Sequence, residues 1–222
     1  MMVRYFQFVF FLLVTMFLPG LSEPFAADQL TADMLQKLKL ISSDPQQRRE
    51  AIFAGEERAL ICGYCHGNDG NSVKPEVPNL AGQNPDYLLQ QVSRFARGER
   101  KDFVMNSLAS KFSTDDQINL AIFYSSQQVK PVQVNQARAR QGQKLYMQQC
   151  QACHGPQGRG KIGFARLAGQ KPTYLTLTLQ AFRDSALGKS TPKKRHSPIM
   201  EPIARRLADH EIQNLAAYIA SM

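Results

Sequence analysis

Apolar positions recur at helical spacing along most of the chain. Leu30, Met34, Leu35, Leu38 and Ile41 form one amphipathic stretch, an N-terminal extension over residues 23–44 whose purpose the pattern does not disclose. Asp44-Pro45 then supplies an N-cap and a first-turn proline, predicting a helix that runs on towards residue 62. Leu88, Val92 and Phe95 share a helical face, and so do Leu175, Leu179 and Phe182, predicting two matched core helices. Ser113-Thr114-Asp115 and Ala208-Asp209 introduce a last helix in each half. The first residues follow a different pattern. Arg4 precedes an apolar run from Phe6 to Leu18, broken only by Gln7 and Thr15 and ended by Pro19-Gly20. A run this short suits an export signal over residues 1–22, since a spanning helix needs about 20 apolar residues. An uncleaved membrane anchor is the alternative, and both place the folded part outside the cytoplasm.

The pattern also repeats. Leu80-Ala81-Gly82-Gln83 returns as Leu167-Ala168-Gly169-Gln170, Pro85-x-Tyr87-Leu88 as Pro172-x-Tyr174-Leu175, and Asn119-Leu120-Ala121 as Asn214-Leu215-Ala216. Two copies of one mostly helical domain are expected, over 45–128 and 132–222, joined by a short connector at 129–131 where Pro131 resists helix continuation. A length of 222 residues suits two domains of about 100 residues each.

All four cysteines lie in two motifs, Cys62-Gly-Tyr-Cys65-His66 and Cys150-Gln-Ala-Cys153-His154. C-x-x-C-H is the attachment signature of c-type haem. Thiols three residues apart share one side of a helical turn and can form thioethers with two vinyl groups, while the adjacent imidazole reaches the iron. A four-cysteine zinc site would have to pair motifs that start 88 residues apart, against the usual gap of about 15–20. Disulfides would leave the two histidines unexplained. Two covalently attached haem c groups are therefore expected, one per copy.

An electron carrier needs a sixth iron ligand, and methionine sulfur supports a higher potential than a second histidine. In the first copy Met105 is the only Met, and no His competes with it, between His66 and the connector. In the second copy Met200, His196 and His210 are candidates. Met105 lies 15 residues before Leu120 and Met200 lies 15 before Leu215, and this shared offset favours the two methionines.

With its paired motifs, aligned methionines and LAGQ segments, the chain resembles the di-haem cytochrome c4 family over about residues 45–222. The resemblance implies an all-α fold of two tandem class I cytochrome c domains, each wrapped around one covalent haem. It implies Cys62, Cys65, His66 and Met105 as the residues of the first haem, and Cys150, Cys153, His154 and Met200 as those of the second. It also implies a periplasmic, non-enzymatic carrier between a quinol-oxidising complex and a terminal oxidase or reductase. The alternative is a di-haem redox enzyme subunit (a peroxidase or sulfur-compound dehydrogenase) or a fixed electron-wire subunit of a larger complex. Departures from the family pattern are local. Ala165 stands where the first copy has Pro78, whose carbonyl in class I domains accepts from the proximal His; Ala keeps that carbonyl. The second copy has eight extra residues between Tyr174 and Met200 relative to Tyr87 and Met105, and the residues upstream of the motifs share no single register.

Charge is lopsided. Residues 28–130 carry 12 Lys and Arg against 13 Asp and Glu, a balance of −1, while residues 131–222 carry 14 against 4, a balance of +10. Lys189, Lys193, Lys194, Arg195, Arg205 and Arg206 concentrate this charge around Met200. Such a surface suits a redox protein with an acidic docking face, or an anionic membrane surface. Nucleic acid is no partner for an exported chain.

Overall fold

The computed structural model describes residues 23–161, 163–189 and 195–222; the export segment expected over 1–22 and the basic stretch 190–194 lie outside the described residues. Asp44 opens a helix as its sequence predicts. Its carboxylate accepts from the backbone N–H of Gln46 (2.8 Å) and Gln47 (2.9 Å), Pro45 occupies the first turn, and helix α2 runs Pro45–His66. It is preceded by α1 (Glu23–Ser43) and followed by α3 (Pro85–Ala96), α4 (Phe103–Ala109) and α5 (Thr114–Ser126). The second half repeats the set as α6 (Gln136–Gln149), α7 (Gln151–His154), α8 (Pro172–Ala186), α9 (Met200–Ala204) and α10 (Asp209–Ala220). Among the described residues the only β-pairing is an isolated bridge between Lys161 and Phe164.

Each half is held by a crossing of its motif helix with its last helix, α2 with α5 and α6 with α10. The crossings are close because a glycine stands at each. A Cβ on Gly55 would sit 2.3 Å from the Asn119 carbonyl oxygen, and one on Gly142 would sit 2.1 Å from that of Asn214. Backbone would have to move to admit a methyl group. Gly55→Ala and Gly142→Ala should therefore each destabilise their own domain by on the order of 1–3 kcal/mol, read as a lowered midpoint in denaturant melts followed by haem absorbance. Unchanged midpoints would show that the helices can part at little cost.

These glycines also explain the missing register. Gly55 lies seven residues before Cys62, but Gly142 lies eight before Cys150. The extra residue is absorbed by a break: α2 is continuous through its motif, whereas the second copy interrupts the helix at Cys150 (φ −114°) and resumes as α7.

The core positions read from spacing are partly right. Phe95, Leu175 and Phe182 are buried, while Leu88, Val92 and Leu179 are only partly so, and the most enclosed residue of α3 is Leu89. Leu89 turns away from its predicted neighbours because α1 offers a second apolar surface. Met34 and Leu38 of α1 pack against Leu89, Ile118 and Ile122, and Lys37 pairs with Asp115 at 2.6 Å. The extension is thus a built-in wall of the first domain's core.

The connector is tied down. Lys130 pairs with Asp69 at 2.5 Å, and its backbone N–H donates to the Asn71 side chain (2.9 Å). Val129 lies between the halves, with one methyl against Gly82 and the other against Gly169, the matching glycines of the two LAGQ segments.

Candidate functional site

Each C-x-x-C-H motif closes a helix. α2 ends at His66 and α7 at His154, and the glycine that follows each, Gly67 or Gly155, has φ +78°, a backbone geometry that stops the helix. A turn then brings Gly70 or Gly158 back beneath the motif. The Gly70 carbonyl accepts from Leu80 N (2.7 Å) and Ala81 N (3.1 Å), and the Gly158 carbonyl accepts from Leu167 N (2.6 Å) and Ala168 N (3.0 Å). The motif and the LAGQ segment of each half are therefore one hydrogen-bonded unit.

That unit fixes the histidines. His66 Nδ1 lies 3.0 Å from the Pro78 carbonyl oxygen, and His154 Nδ1 lies 2.9 Å from that of Ala165. A carbonyl can only accept, so Nδ1 carries the proton in both rings and Nε2 is left with its lone pair for a metal. The Pro-to-Ala change keeps the bond, as the survival of the carbonyl predicts. Burial pushes the pKa of both imidazoles down, which keeps them in the neutral form that ligates metal.

The four cysteines are unpaired. Burial raises the Cys62 thiol and pushes that of Cys150 up to about 11, so neither is the exposed, low-pKa thiolate of a redox dithiol. Among the described residues no cluster of three or more His, Cys, Asp or Glu is assembled, as a zinc site drawn from both motifs would require. Each motif stands alone in its own half, as one haem per domain demands.

The candidate sixth ligands sit in matching places. Met105 lies in the first turn of α4, its N–H donating to the Asp102 cap at 3.1 Å; Met200 opens α9, its N–H donating to Ser197 Oγ at 3.1 Å. Both side chains are partly buried. His196 is turned outward, 64% exposed, with Nδ1 3.0 Å from Glu201, and His210 is exposed too.

Arg195 is a correction. Its place in a basic run predicts a surface charge, but the structure folds it inward. The guanidinium lies 4.9 Å from the Phe182 ring and donates to Tyr87 Oη (2.7 Å) and Tyr174 Oη (3.2 Å) at the junction of the two halves. Arg100 mirrors it, 4.4 Å from the Phe95 ring and donating to Tyr174 Oη (3.3 Å) and Gln91 (2.8 Å). Tyr174 is half-buried, and burial alone would raise its phenol, yet Arg195 and Arg100 outweigh that effect and pull it below the ordinary tyrosine value. Among the described residues neither arginine forms an ion pair, so two like charges lie half-buried at the junction without a carboxylate between them. Cations drawn partly out of water favour anionic partners. A haem brings its own carboxylates as propionates, and the residues present fit that group. Sequence reasoning passed over Arg100 and took Arg195 for a surface charge, although each lies five residues before the candidate methionine. That shared offset was the available signal.

Comparisons with known proteins agree with this geometry. The family model for cytochrome c matches residues 139–222. Cytochrome c4 of Pseudomonas aeruginosa is 34% identical over 179 residues, covering 76% of this chain and 87% of that protein. A thiosulfate dehydrogenase electron acceptor of Stutzerimonas stutzeri is 29% identical over 177 residues, covering 74% of this chain and 80% of that protein. The crystal structure of reduced recombinant cytochrome c4 from Pseudomonas stutzeri superposes with a TM-score of 0.69 at 32% identity, covering 76% of this chain and 97% of that one. A match over so much of the chain necessarily takes in both motifs. Likeness that runs through both halves reflects common family as well as common fold: this chain belongs to the cytochrome c4 family, and is a di-haem electron-transfer cytochrome with two covalently attached haem c groups.

Proposed function

We propose that this chain is a periplasmic electron carrier that takes electrons from a quinol-oxidising complex and delivers them to a terminal oxidase or reductase. The observation that carries the reading is a buried, carbonyl-fixed histidine in each half, and the methionine at the same sequence offset in each copy supports a second protein ligand at both irons, with neither left open for substrate. The haem supplies a one-electron iron couple. The chain's own residues would hold it: Cys62, Cys65, Cys150 and Cys153 through thioethers, and His66, His154, Met105 and Met200 as donors to the two irons. The two haem-binding repeats run over 45–128 and 132–222, with the extension packed onto the first. Protein donors held in place by the fold would limit rearrangement when an electron arrives, which is what a carrier requires and what a catalytic iron would sacrifice. The basic surface of the second domain, with Arg205 and Arg206 exposed just past Met200, supports it as the docking face towards an acidic partner.

The relative named as a thiosulfate dehydrogenase electron acceptor supports a second reading, in which the donor is a sulfur-compound dehydrogenase. The chain remains a carrier in both.

Holoprotein extracted with acid–acetone should keep its colour, with two irons per chain. One iron per chain would overturn the two-haem assignment, and extractable haem would overturn thioether attachment.

A further inference from the structure

The LAGQ segments meet across the junction of the two domains in a reciprocal arrangement. Gln170 Oε1 accepts from the backbone N–H of Asn79 at 2.8 Å, and its Nε2 donates to the Asn79 carbonyl at 2.9 Å. Gln83 does the same in the other direction: Oε1 accepts from Arg166 N at 2.6 Å, and Nε2 donates to the Arg166 carbonyl at 2.8 Å. Asn79 and Arg166 are matching positions, each directly before its LAGQ segment. The amide orientation is set by the network, because each Oε1 also accepts from the N–H of the next residue, Asn84 at 3.0 Å and Lys171 at 2.9 Å. Gln83, Gln170 and Asn79 are all buried.

The peptide groups engaged are those that orient the histidines. The peptide joining Pro78 to Asn79 accepts His66 Nδ1–H at its carbonyl and donates to Gln170 at its nitrogen. The peptide joining Ala165 to Arg166 accepts His154 Nδ1–H and donates to Gln83. Each proximal histidine is thus one peptide group away from a glutamine of the opposite domain. An amide whose N–H is hydrogen-bonded carries more negative charge on its oxygen, because successive bonds in a chain polarise one another. That oxygen then pulls harder on the imidazole Nδ1–H, making Nε2 a stronger donor to iron and favouring the oxidised state.

We propose that Gln83 and Gln170 are positioning residues that act crosswise, each setting the proximal histidine, and hence the reduction potential, of the haem in the other domain. The inference rests on the assignment of His66 and His154 as iron ligands. It goes beyond a clamp between domains, since a clamp alone has no reason to act on the distant haem and spare the near one.

The test uses the full-length holoprotein, with the potential of each haem resolved by redox titration and assigned by NMR of its shifted ligand resonances. Gln170→Met should raise the potential of the first haem and leave that of the second, while moving the His66 Nδ1–H resonance upfield. Gln83→Met should do the converse at the second haem and His154. Gln170→Glu keeps the acceptor for Asn79 N–H, and should hold the first haem at or below its original potential. Equal shifts at both haems, a shift at the mutated domain's own haem, or no shift would overturn the inference. If Gln170→Met fails to assemble, Gln83→Met and Gln170→Glu still decide the matter. Wild-type NMR without iron-shifted resonances of His66 and His154 would instead overturn the histidine assignment.

Discussion

Replacing Met200 with Ala should open the second haem iron to cyanide or carbon monoxide and lower its potential, and Met105→Ala should do the same at the first. Thioether sulfur favours the reduced iron, so its loss shifts the couple towards oxidation, and the vacated position accepts external ligands that the wild type excludes. The local backbone should survive both changes. The N–H of Met105 is held by the Asp102 carboxylate and that of Met200 by Ser197 Oγ, and neither bond uses the methionine side chain. Each variant should therefore bind close to one equivalent of carbon monoxide per chain in the reduced state, where the wild type binds essentially none. Histidine cannot readily substitute in the second domain, because His196 is engaged with Ser185 and Glu201 on the outside and His210 is exposed. If Met200→Ala left both spectra and both potentials unchanged, the distal assignment would be wrong.

Signals that act within one turn of helix, or within one motif, were legible in the sequence. Asp44-Pro45 and Ser113 cap the helices they announce, because a cap depends only on residues two or three positions away. At Ala208 the announced helix also begins, but the cap is one-sided: alanine has no acceptor, and the bond runs from Ala208 N–H to Glu211 at 2.8 Å. The two haem motifs were legible because five adjacent residues carry their chemistry. What escaped depends on contacts between segments far apart in sequence. Leu89 is core only because α1 lies over it, and Arg195 turns inward because Tyr87, 108 residues away, offers it a hydroxyl. The glutamines were visible as a repeat but not as a contact, since a repeat shows that a residue recurs and not that its two copies face each other's backbone. Equal offsets in tandem copies did carry information beyond the methionines: Arg100 with Arg195 and Tyr87 with Tyr174 converge at the junction.

Charge reversal at Arg205 and Arg206 should slow association with an acidic redox partner, and the wild-type rate should fall as salt rises. The balance of +10 over residues 131–222 against −1 over residues 28–130 makes one half of the chain basic, and Arg195 contributes to its field while half-buried and committed to Tyr87. The docking variant must therefore leave Arg195 alone, since Arg195→Glu would disturb the domain junction and confuse docking with assembly. Lys189 is a weaker choice because it already pairs with Asp184 at 3.7 Å. Arg205 and Arg206 are exposed, form no ion pair among the described residues, and follow Met200 closely, with Ile199 beside it 52% exposed as an apolar contact. Oppositely charged surfaces accelerate encounter by roughly 10-fold to 1000-fold at low salt, and screening removes most of this once the Debye length falls to about 8 Å near physiological ionic strength. Stopped-flow electron transfer with the native partner, run across ionic strengths on wild type and Arg205→Glu/Arg206→Glu, separates the effects. The bimolecular rate of the variant should be lower and its salt dependence flatter, while the limiting first-order rate within the complex changes little, because steering acts on encounter. The same comparison with Lys39→Glu/Arg48→Glu, two exposed residues on the near-neutral half of the chain, should leave both rates where they were. Rates indifferent to salt and to reversal at Arg205 and Arg206 would reduce the basic half to a solvated surface and move the docking face to the first domain.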